Sequence, residues 1–345
     1  MLKIICIIAL GLTTLVARSE FQIGENGRVL LYGNSFVERL QEHGLFEAAV
    51  QMAHREKNLE FRSLAWTGDE VGYRLRPERY VSHLRKLLDR WPANVVILGF
   101  GLNESFGGAA LVDAFRRDLE GYLREMERRH PDAALIILSP IATEDLGHPY
   151  YPDVEQRNTE ILAYVQVLRE VSSQRGIGVV DLFAPSLEAY EKEEDPLTSN
   201  GIHLNDRGYT MIARHLIREL LGAGTYARLD LSRAEVVARE VQRKAEYVAS
   251  VVRPVNAVLY FGVRGRAHEY DAEIPRFHAM VAQSDARIHA MLKDETLGFD
   301  PAPLTLPPLV DRIPADLPSP EQMLKSFRVA EGYEVNLFAS EEDFP

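Results

Sequence analysis

The sequence predicts a three-layer α/β/α sandwich built on a five-stranded parallel sheet. Between about Arg28 and Leu221, five short runs rich in Val, Ile, Leu or Phe alternate with longer amphipathic segments. Such runs are typical of strands buried on both faces, and the segments between them are typical of the covering helices. The chain has 345 residues, of which 46% are hydrophobic. That length suffices for one large domain of this kind and a smaller appendage.

The predicted strands and helices follow one another in strict alternation. The strands are Arg28–Gly33, Leu59–Trp66, Asn94–Gly101, Ala133–Pro140 and Gly176–Phe183. The helices are Val37–His54, Glu78–Arg90, Leu111–Arg129, Val154–Arg175 and Gly208–Leu221. Because open parallel sheets bind ligands at the carboxyl ends of their strands, we expect the functional residues directly after the apolar runs.

Residues 1–19 have the features of a secretory signal peptide. Lys3 precedes an apolar run, Ile4–Ala17, that is too short for a comfortable membrane span, and residues 17–19 offer a cleavage site. This predicts an exported protein, periplasmic or extracellular, and the alternative is an uncleaved N-terminal anchor. The single cysteine, Cys6, lies in this segment. The mature protein would then contain no disulfide, no thiolate metal site and no cysteine nucleophile.

The pattern changes after residue 224. Ser232 is the predicted N-cap of a helix that ends near Val252, a strand-like run lies within Pro254–Gly262, and Ile274–Leu292 is a second predicted helix. We therefore divide the chain into a main domain (20–224), a helical extension packed on it (225–298), a proline-rich linker (299–320) and a last segment (321–345). That segment alternates like a strand over Phe327–Pro345 and is either the start of a truncated downstream domain or a disordered tail.

Charge and composition restrict the partners. The net charge of −12 disfavours binding to nucleic acid or to anionic membranes. The chain contains no Cys-x-x-Cys-His sequence, so we expect no c-type haem on it. We also expect no metal and no organic cofactor.

Two motifs follow the first two predicted strands. In Gly33-Asn34-Ser35-Phe36, Ser35 would stand at a helix N-terminus, where an oxyanion is stabilised, and the alternative is a helix-capping serine. In Thr67-Gly68-Asp69, the N–H of Gly68 could donate to an oxyanion, and the alternative is an ordinary turn.

Two further motifs complete the set. In Gly101-Leu102-Asn103-Glu104, the Asn103 amide is a suitable oxyanion donor or else a helix cap, while Glu104 is a salt-bridge partner or orients the neighbouring loop. The segment Asn200–Asn205 contains His203 before the last helix of the domain. A serine hydroxyl is a poor nucleophile unless a base removes its proton, and histidine is the usual base near neutral pH.

The order of these four motifs resembles the SGNH (GDSL-like) hydrolase superfamily over about Arg28 to Leu221, with its flavodoxin-like fold. The resemblance implies that Ser35 is the nucleophile and His203 its base, with an oxyanion hole formed by Ser35, Gly68 and Asn103. It also implies an esterase or deacetylase that hydrolyses small acyl esters through an acyl-enzyme, and an acetylated carbohydrate is the expected substrate of an exported member. A lipase or phospholipase ranks lower because no long apolar lid separates the motifs.

The sequence departs from the superfamily pattern at two positions. Asn34 replaces the aspartate of the first block, and Asn200 replaces the aspartate three residues before the histidine. An amide can accept a hydrogen bond from the imidazole but offers no negative charge. Three possibilities stay open: a Ser-His dyad assisted by Asn200, a substitute carboxylate at Asp195 or Asp206, or a site without activity. The last would make the protein a non-catalytic module that binds carbohydrate or scaffolds a larger redox protein.

Segments outside the motifs carry a second resemblance. SLAWTGDEV, LTSNGIHLNDRGY and RPVNAVLYFG are similar to esterase-like modules of large exported planctomycete and verrucomicrobial proteins, where a dehydrogenase-like β-propeller and a cytochrome domain follow. The final FRVAEGYEVNLFASEEDFP resembles the first strand of such a propeller. Five basic residues of the extension form either a polar wall of the cleft or a solvated helical cap: Arg264, Arg266, His268, His278 and Arg287.

Overall fold

The computed structural model describes residues 21, 23–71, 80–254, 267–304 and 318–339. The chain divides into two compact units, Met1–Thr305 and Leu306–Pro345. The predicted signal peptide and the predicted strand-like run after Pro254 lie outside the described residues, as does most of the predicted linker.

The first unit contains a five-stranded, all-parallel sheet, which confirms the predicted fold class. Its strands are β1 (Arg28–Gly33), β2 (Glu60–Ser63), β3 (Val95–Gly99), β4 (Ala134–Leu138) and β5 (Gly178–Val180). They are arranged in the order β2-β1-β3-β4-β5, and every neighbouring pair is parallel. Each strand lies within one of the predicted apolar runs.

Helices cover both faces of this sheet. They are α1 (Ser35–His43), α2 (Leu45–Ala53), α3 (Tyr80–Arg90), α4 (Val112–Arg129), α5 (Val154–Arg175), α6 (Phe183–Lys192), α7 (Asp206–Leu221), α8 (Ala223–Tyr226), α9 (Leu231–Val252) and α10 (Ala267–Lys293). A 3₁₀ helix, Glu104–Leu111, precedes α4. Alternate β1 residues face opposite sides, so Val29 and Leu31 join the core beneath α1, α2 and α7, while Leu30 and Tyr32 join the core beneath α3, α4 and α5.

The predicted helix Val37–His54 is wrong as a single element, because it is broken between α1 and α2 at Gly44. Gly44 has φ +80°, a left-handed conformation that favours glycine. A Cβ at this position would lie 2.7 Å from the carbonyl oxygen of Ala238. The glycine therefore ends α1 and also lets α9 approach closely.

Helices α9 and α10 pack against each other, and α9 also packs on α1 and α2. The N-cap of α9 is Asp230, whose carboxylate accepts the Arg233 N–H at 2.9 Å, so the predicted cap at Ser232 is wrong. The fully buried Lys244 of α9 forms ion pairs with Glu47 and with Asp285, the latter at 3.0 Å. Arg62 of β2 also pairs with Asp285, at 2.6 Å, so two cations and two carboxylates compensate one another and join β2, α2, α9 and α10.

In the second unit, α11 (Pro320–Ser326) begins at a capping box formed by Ser319 and Gln322. The predicted strand Phe327–Pro345 is wrong over residues 327–339, which form no strand. A single segment without a partner strand cannot satisfy its backbone hydrogen bonds in this way. In the part of the chain that the structure describes, no helix combines the length and the apolar character needed to cross a membrane.

Candidate active site

The strand order places a crevice at the carboxyl ends of β1 and β3. The chain moves from β1 to β2 on one side and then returns to β3 on the other side. Ligands bind in open parallel sheets at such a reversal of direction. Ser35 follows β1, Gly68 follows β2 and Asn103 follows β3, so the fold brings these three predicted residues to the same edge of the sheet.

Ser35 is the first residue of α1, and Asn34 caps this helix. The Asn34 side chain accepts the Phe36 N–H at 3.1 Å, so the alternative that Ser35 serves as the cap is wrong. The hydroxyl and the N–H of Ser35 form no hydrogen bond with any residue of the described segments, although the residue is only 9% exposed. Both groups are therefore available to a substrate.

Gly68 lies in a left-handed conformation with φ +76°, and no atom lies within 4 Å of the place where its Cβ would be. Backbone conformation rather than lack of space requires glycine here. The neighbouring N–H groups are engaged: Thr67 donates to Glu38, and Asp69 donates to the Trp66 carbonyl at 3.0 Å. The Gly68 N–H has no such partner in the described segments and can donate to an oxyanion.

Asn103 connects the loop after β3 to the loop after β2. Its amide nitrogen donates to the Asp69 carbonyl at 3.2 Å, and the side chain does not cap the following 3₁₀ helix, so the capping alternative is wrong. An amide nitrogen carries two hydrogens. One therefore fixes the side chain, and the second remains for an oxyanion.

His203 contacts Asn200 and no carboxylate within the described residues. Its Nδ1 lies 3.0 Å from Asn200 Nδ2 and 3.2 Å from Asn200 Oδ1. The same Oδ1 accepts the backbone N–H of His203 at 2.9 Å. Asp195 is exposed and pairs with Arg207, while Asp206 lies in the first turn of α7. Neither aspartate contacts the imidazole, so neither replaces the missing acid.

The packing of α7 on α1 brings the histidine loop toward Ser35. The rings of Phe36 and Tyr209 stack with centroids 5.9 Å apart, and the Tyr209 hydroxyl donates to the Phe36 carbonyl at 3.4 Å. No hydrogen bond joins Ser35 Oγ to His203, although both residues are described. Catalytic hydrogen bonds are often long in unliganded enzymes and tighten when substrate binds.

The environment of His203 favours the neutral imidazole. Burial lowers the pKa of His203, and the nearby positive charge of Arg39 lowers it further. A general base must be unprotonated to act, so this shift supplies the required form at neutral pH. It also makes the imidazole a weaker base.

Three glutamates hold the loops of the site, and two of them, Glu38 and Glu144, lie outside the predicted motifs. The buried carboxylate of Glu144 accepts the N–H groups of Leu197 and Thr198 at 2.9 and 2.7 Å, which fixes the start of the histidine loop. Its own N–H donates to the Gly201 carbonyl at 2.9 Å. A polar residue directly after the apolar stretch that contains β4 was the available sequence signal.

Glu104 joins the loops after β2 and β3, so its predicted role in orienting a loop is confirmed. Its two carboxylate oxygens accept the N–H groups of Val71 at 2.9 Å and of Gly101 at 2.8 Å. Burial raises the pKa of Glu104 to about 7. Glu38, three residues after Ser35, accepts the N–H of Thr67 and holds the loop of Gly68.

The predicted polar wall receives no support from His278. Its ring packs edge-on against Trp91 with centroids 5.7 Å apart, and Trp91 precedes β3, at the opposite end of the strands from Ser35. Arg287 lies on the same helix, where His289 contacts the Leu59 carbonyl before β2. Arg264 and Arg266, and the side chain of His268, lie outside the described residues.

The described side chains include no group of three or more His, Cys, Asp or Glu residues that could hold a metal ion. The groups gathered at the strand ends are instead a serine hydroxyl and several hydrogen-bond donors, and the imidazole of His203 lies near Arg39 of the helix that begins at Ser35. These are the components of nucleophilic acyl transfer. The site and the fold together define a hydrolase of ester bonds.

The sequence places the chain in one family of such hydrolases. Residues 31–211, slightly more than half of the chain, match the GDSL-like Lipase/Acylhydrolase family, and the chain belongs to this family. No curated protein sequence matches the chain.

Several solved structures are similar to part of the chain at low sequence identity. A protein described as a GDSL-like lipase from Parabacteroides merdae has a TM-score of 0.48 and 12% identity, over 58% of this chain and 98% of its own. An acetyl xylan esterase variant from Geobacillus stearothermophilus has a TM-score of 0.44 and 15% identity, over 57% and 96%. An alpha/beta hydrolase from the metagenome of Lake Arreo, Spain, has a TM-score of 0.44 and 16% identity, over 59% and 100%.

Proposed function

We propose that the protein is a serine esterase or deacetylase that hydrolyses small acyl esters, acetyl esters in particular, through an acyl-enzyme. One observation carries the proposal. The hydroxyl of Ser35 and the N–H groups of Ser35 and Gly68 have no partners in the described residues, although all lie at the carboxyl edge of a well-bonded sheet. A purely structural loop would use such groups internally.

In the proposed reaction, Ser35 Oγ attacks the ester carbonyl while His203 Nε2 removes its proton. The N–H groups of Ser35 and Gly68 and the Asn103 amide donate to the oxyanion of the tetrahedral intermediate. His203 then protonates the departing alcohol and leaves an acyl-enzyme on Ser35. A water molecule deprotonated by His203 attacks this ester, and collapse of the second intermediate releases the acid and restores Ser35.

We further propose an acetylated polysaccharide as substrate and export by the N-terminal segment. Aromatic side chains are exposed on the segments that follow β3 and β4: Phe106 is 57% exposed and Tyr150 is 89% exposed. The Arg157 guanidinium covers one face of the Phe106 ring, at 3.9 Å from its centroid, and the exposed aromatic surface that remains suits the apolar faces of sugar rings. The signal-like sequence of residues 1–19 fits a substrate outside the cytoplasm.

A second candidate function is a catalytically weakened module that binds carbohydrate or scaffolds a larger exported redox protein. The observation that favours it is the amide of Asn200 in contact with His203 Nδ1, where the superfamily pattern has an aspartate. The available Ser35 and Gly68 groups favour the esterase, because binding alone does not need a nucleophile with oxyanion donors.

The test is hydrolysis of p-nitrophenyl acetate by the purified wild type beside Ser35→Ala, with labelling by a fluorophosphonate as a second readout. Wild-type turnover and labelling that both disappear in Ser35→Ala support the esterase. Equal background rates on a panel of acetyl esters, with no labelling of Ser35, would leave the binding module as the better proposal.

A further inference from the structure

Helix α9 lies outside the residues that match the family, yet the residue that follows it reaches the candidate active site. The family match ends at residue 211, and α9 ends at Val252. Arg253 comes next, and its side chain enters the space between α1 and the loop after β2. The C-terminal extension therefore contacts the segment that contains Gly68.

Arg253 contacts two parts of the site at once. One guanidinium nitrogen donates to the Ala65 carbonyl at 2.5 Å, and the other lies 3.3 Å from Glu38 Oε1. The second nitrogen also lies 3.6 Å from Glu42. The side chains of Arg253 and Glu38 are each 14% exposed, so water screens their pairing only weakly.

Glu38 extends this contact to the residue before Gly68. Its second oxygen accepts both the N–H and the hydroxyl of Thr67, the hydroxyl at 3.0 Å. Three links thus run from α9 to the glycine loop: Arg253 to Ala65, Arg253 to Glu38, and Glu38 to Thr67. Because Glu38 lies one helical turn after Ser35, the same contacts fix the loop relative to Ser35.

On the other side of Gly68, the loop is held by Asn103 at Asp69 and by Glu104 at Val71, so Glu38 and Arg253 hold the side that precedes the glycine. No atom surrounds the Gly68 Cα on the side where a Cβ would lie, and its left-handed backbone has no side chain to pack. An oxyanion donor is effective only when it is already in position before the reaction. The planar fork of an arginine can fix two acceptors in one geometry, whereas a lysine offers a single point charge.

We propose that Arg253 and Glu38 are positioning residues that hold the Gly68 N–H in the oxyanion hole. The C-terminal extension is then a working part of the active site. This inference rests on the proposed esterase function, and it assigns to the extension a role that the family match does not cover.

The test compares Arg253→Met and Arg253→Lys with Arg214→Met in the full chain. Arg214 is a control because it also pairs with α9, through Glu235 at 3.5 Å, but near the opposite end of the helix from Arg253 and at a more exposed position. For p-nitrophenyl acetate we expect Arg253→Met to lower kcat about ten- to a hundredfold with KM nearly unchanged, since displaced donors weaken the transition state. Arg253→Lys should retain an intermediate kcat, and Arg214→Met should retain the wild-type value.

Hydrogen exchange supplies a readout that does not depend on turnover. The peptide containing Thr67 should exchange faster in Arg253→Met than in the wild type and in Arg214→Met, because the N–H of Thr67 is held by Glu38. Glu38→Ala should lower both kcat and the exchange protection of Thr67. If the double variant with Arg253→Met loses no more than either single variant, the two residues act as one unit.

Two failures are distinguishable. If the wild type hydrolyses the ester through Ser35 but Arg253→Met keeps its kcat, or if its kcat falls only as its melting temperature does, the inference is overturned and the proposed function stands. If the wild type shows no Ser35-dependent hydrolysis, the proposed function is overturned and the inference with it, whatever the exchange of Thr67.

Discussion

Replacing Asn200 with aspartate tests the proposed catalytic base directly. Asn200 Oδ1 accepts the backbone N–H groups of His203 and Ile202, which fixes the orientation of the amide. Its Nδ2 then lies 3.0 Å from His203 Nδ1. When this nitrogen donates to Nδ1, the imidazole carries its proton on Nε2 and cannot remove a proton from Ser35. The Nδ1–H tautomer that catalysis needs must use the same Oδ1 that already serves the backbone.

Asn200→Asp removes this competing tautomer without a change in side-chain shape. Both oxygens of aspartate accept, so one can serve the backbone and the other can accept from Nδ1–H. At a separation of about 3 Å and an effective dielectric constant of about 40 to 80 for this exposed residue, the new charge stabilises the imidazolium by about 1.4 to 2.8 kcal/mol. The aspartate charge therefore raises the pKa of His203.

We therefore expect kcat/KM for p-nitrophenyl acetate at pH 8 to increase about ten- to a hundredfold in Asn200→Asp. The acid limb of the pH–rate profile should move to higher pH in the variant. Burial and Arg39 lower the pKa of His203 in the wild type, so wild-type activity should persist to a pH below the usual histidine range. In the variant the imidazole is protonated more easily, so the loss of activity on acidification should begin at a higher pH than in the wild type. Ser35→Ala in the Asn200→Asp background is the control and should be inactive. An unchanged rate and an unchanged acid limb would refute the role assigned to Asn200.

Three further predictions concern the pH response, the buried charges and the substrate. Because burial raises the pKa of Glu104 to about 7 from 4.5, the folded protein holds a proton that the unfolded chain releases, and stability falls as pH rises between these values. Urea unfolding should show that the wild type loses stability between pH 5 and pH 8, by on the order of 3 kcal/mol at most, and that this part of the pH dependence is absent in Glu104→Gln. Lys244→Met leaves the buried Glu47 without a cationic partner, although Asp285 keeps Arg62, and it should lower the free energy of unfolding by about 3 to 5 kcal/mol. Lys192→Met at an exposed ion pair should change it by less than about 0.5 kcal/mol in the same denaturant assay. Tyr150→Ala should raise KM for acetylated xylan but leave kcat/KM for p-nitrophenyl acetate unchanged, and an equal effect on both substrates would contradict a sugar-binding role.

The sheet could be predicted because its strands are buried on both faces. A short apolar run such as Val95–Gly99 is typical of a strand buried on both faces. The alternation of such runs with helices favours parallel connections between the strands. The break at Gly44 was not predictable from helical periodicity, since the glycine is required by the close approach of Ala238, about 190 residues later in the sequence. Tertiary contacts of this kind override local patterns.

The predicted site residues were found through their positions after the strands, but their partners were not. Motif order pointed to Ser35, Gly68, Asn103 and His203, and the structure gathers the first three at one edge. From the sequence, Asp195 and Asp206 both stayed possible substitutes for the missing acid, because closeness in sequence does not show which way a side chain points. In the structure Asp195 forms an ion pair with Arg207, and the imidazole of His203 contacts the Asn200 amide instead of a carboxylate.

The residues that organise the site share a chemistry that motif searches do not detect. Glu38, Glu104 and Glu144 come from three different segments of the chain, and each accepts at least one backbone N–H of a loop that carries a proposed catalytic residue. A carboxylate can accept several such bonds at fixed angles, so it converts a flexible loop into a defined one. Glu38 and Arg253 lie outside the four motifs, so part of what holds the proposed oxyanion donors comes from charges that the motifs do not contain. It follows that variants of these supporting residues should change kcat more than substrate affinity, because they alter the position of donors that act mainly in the transition state.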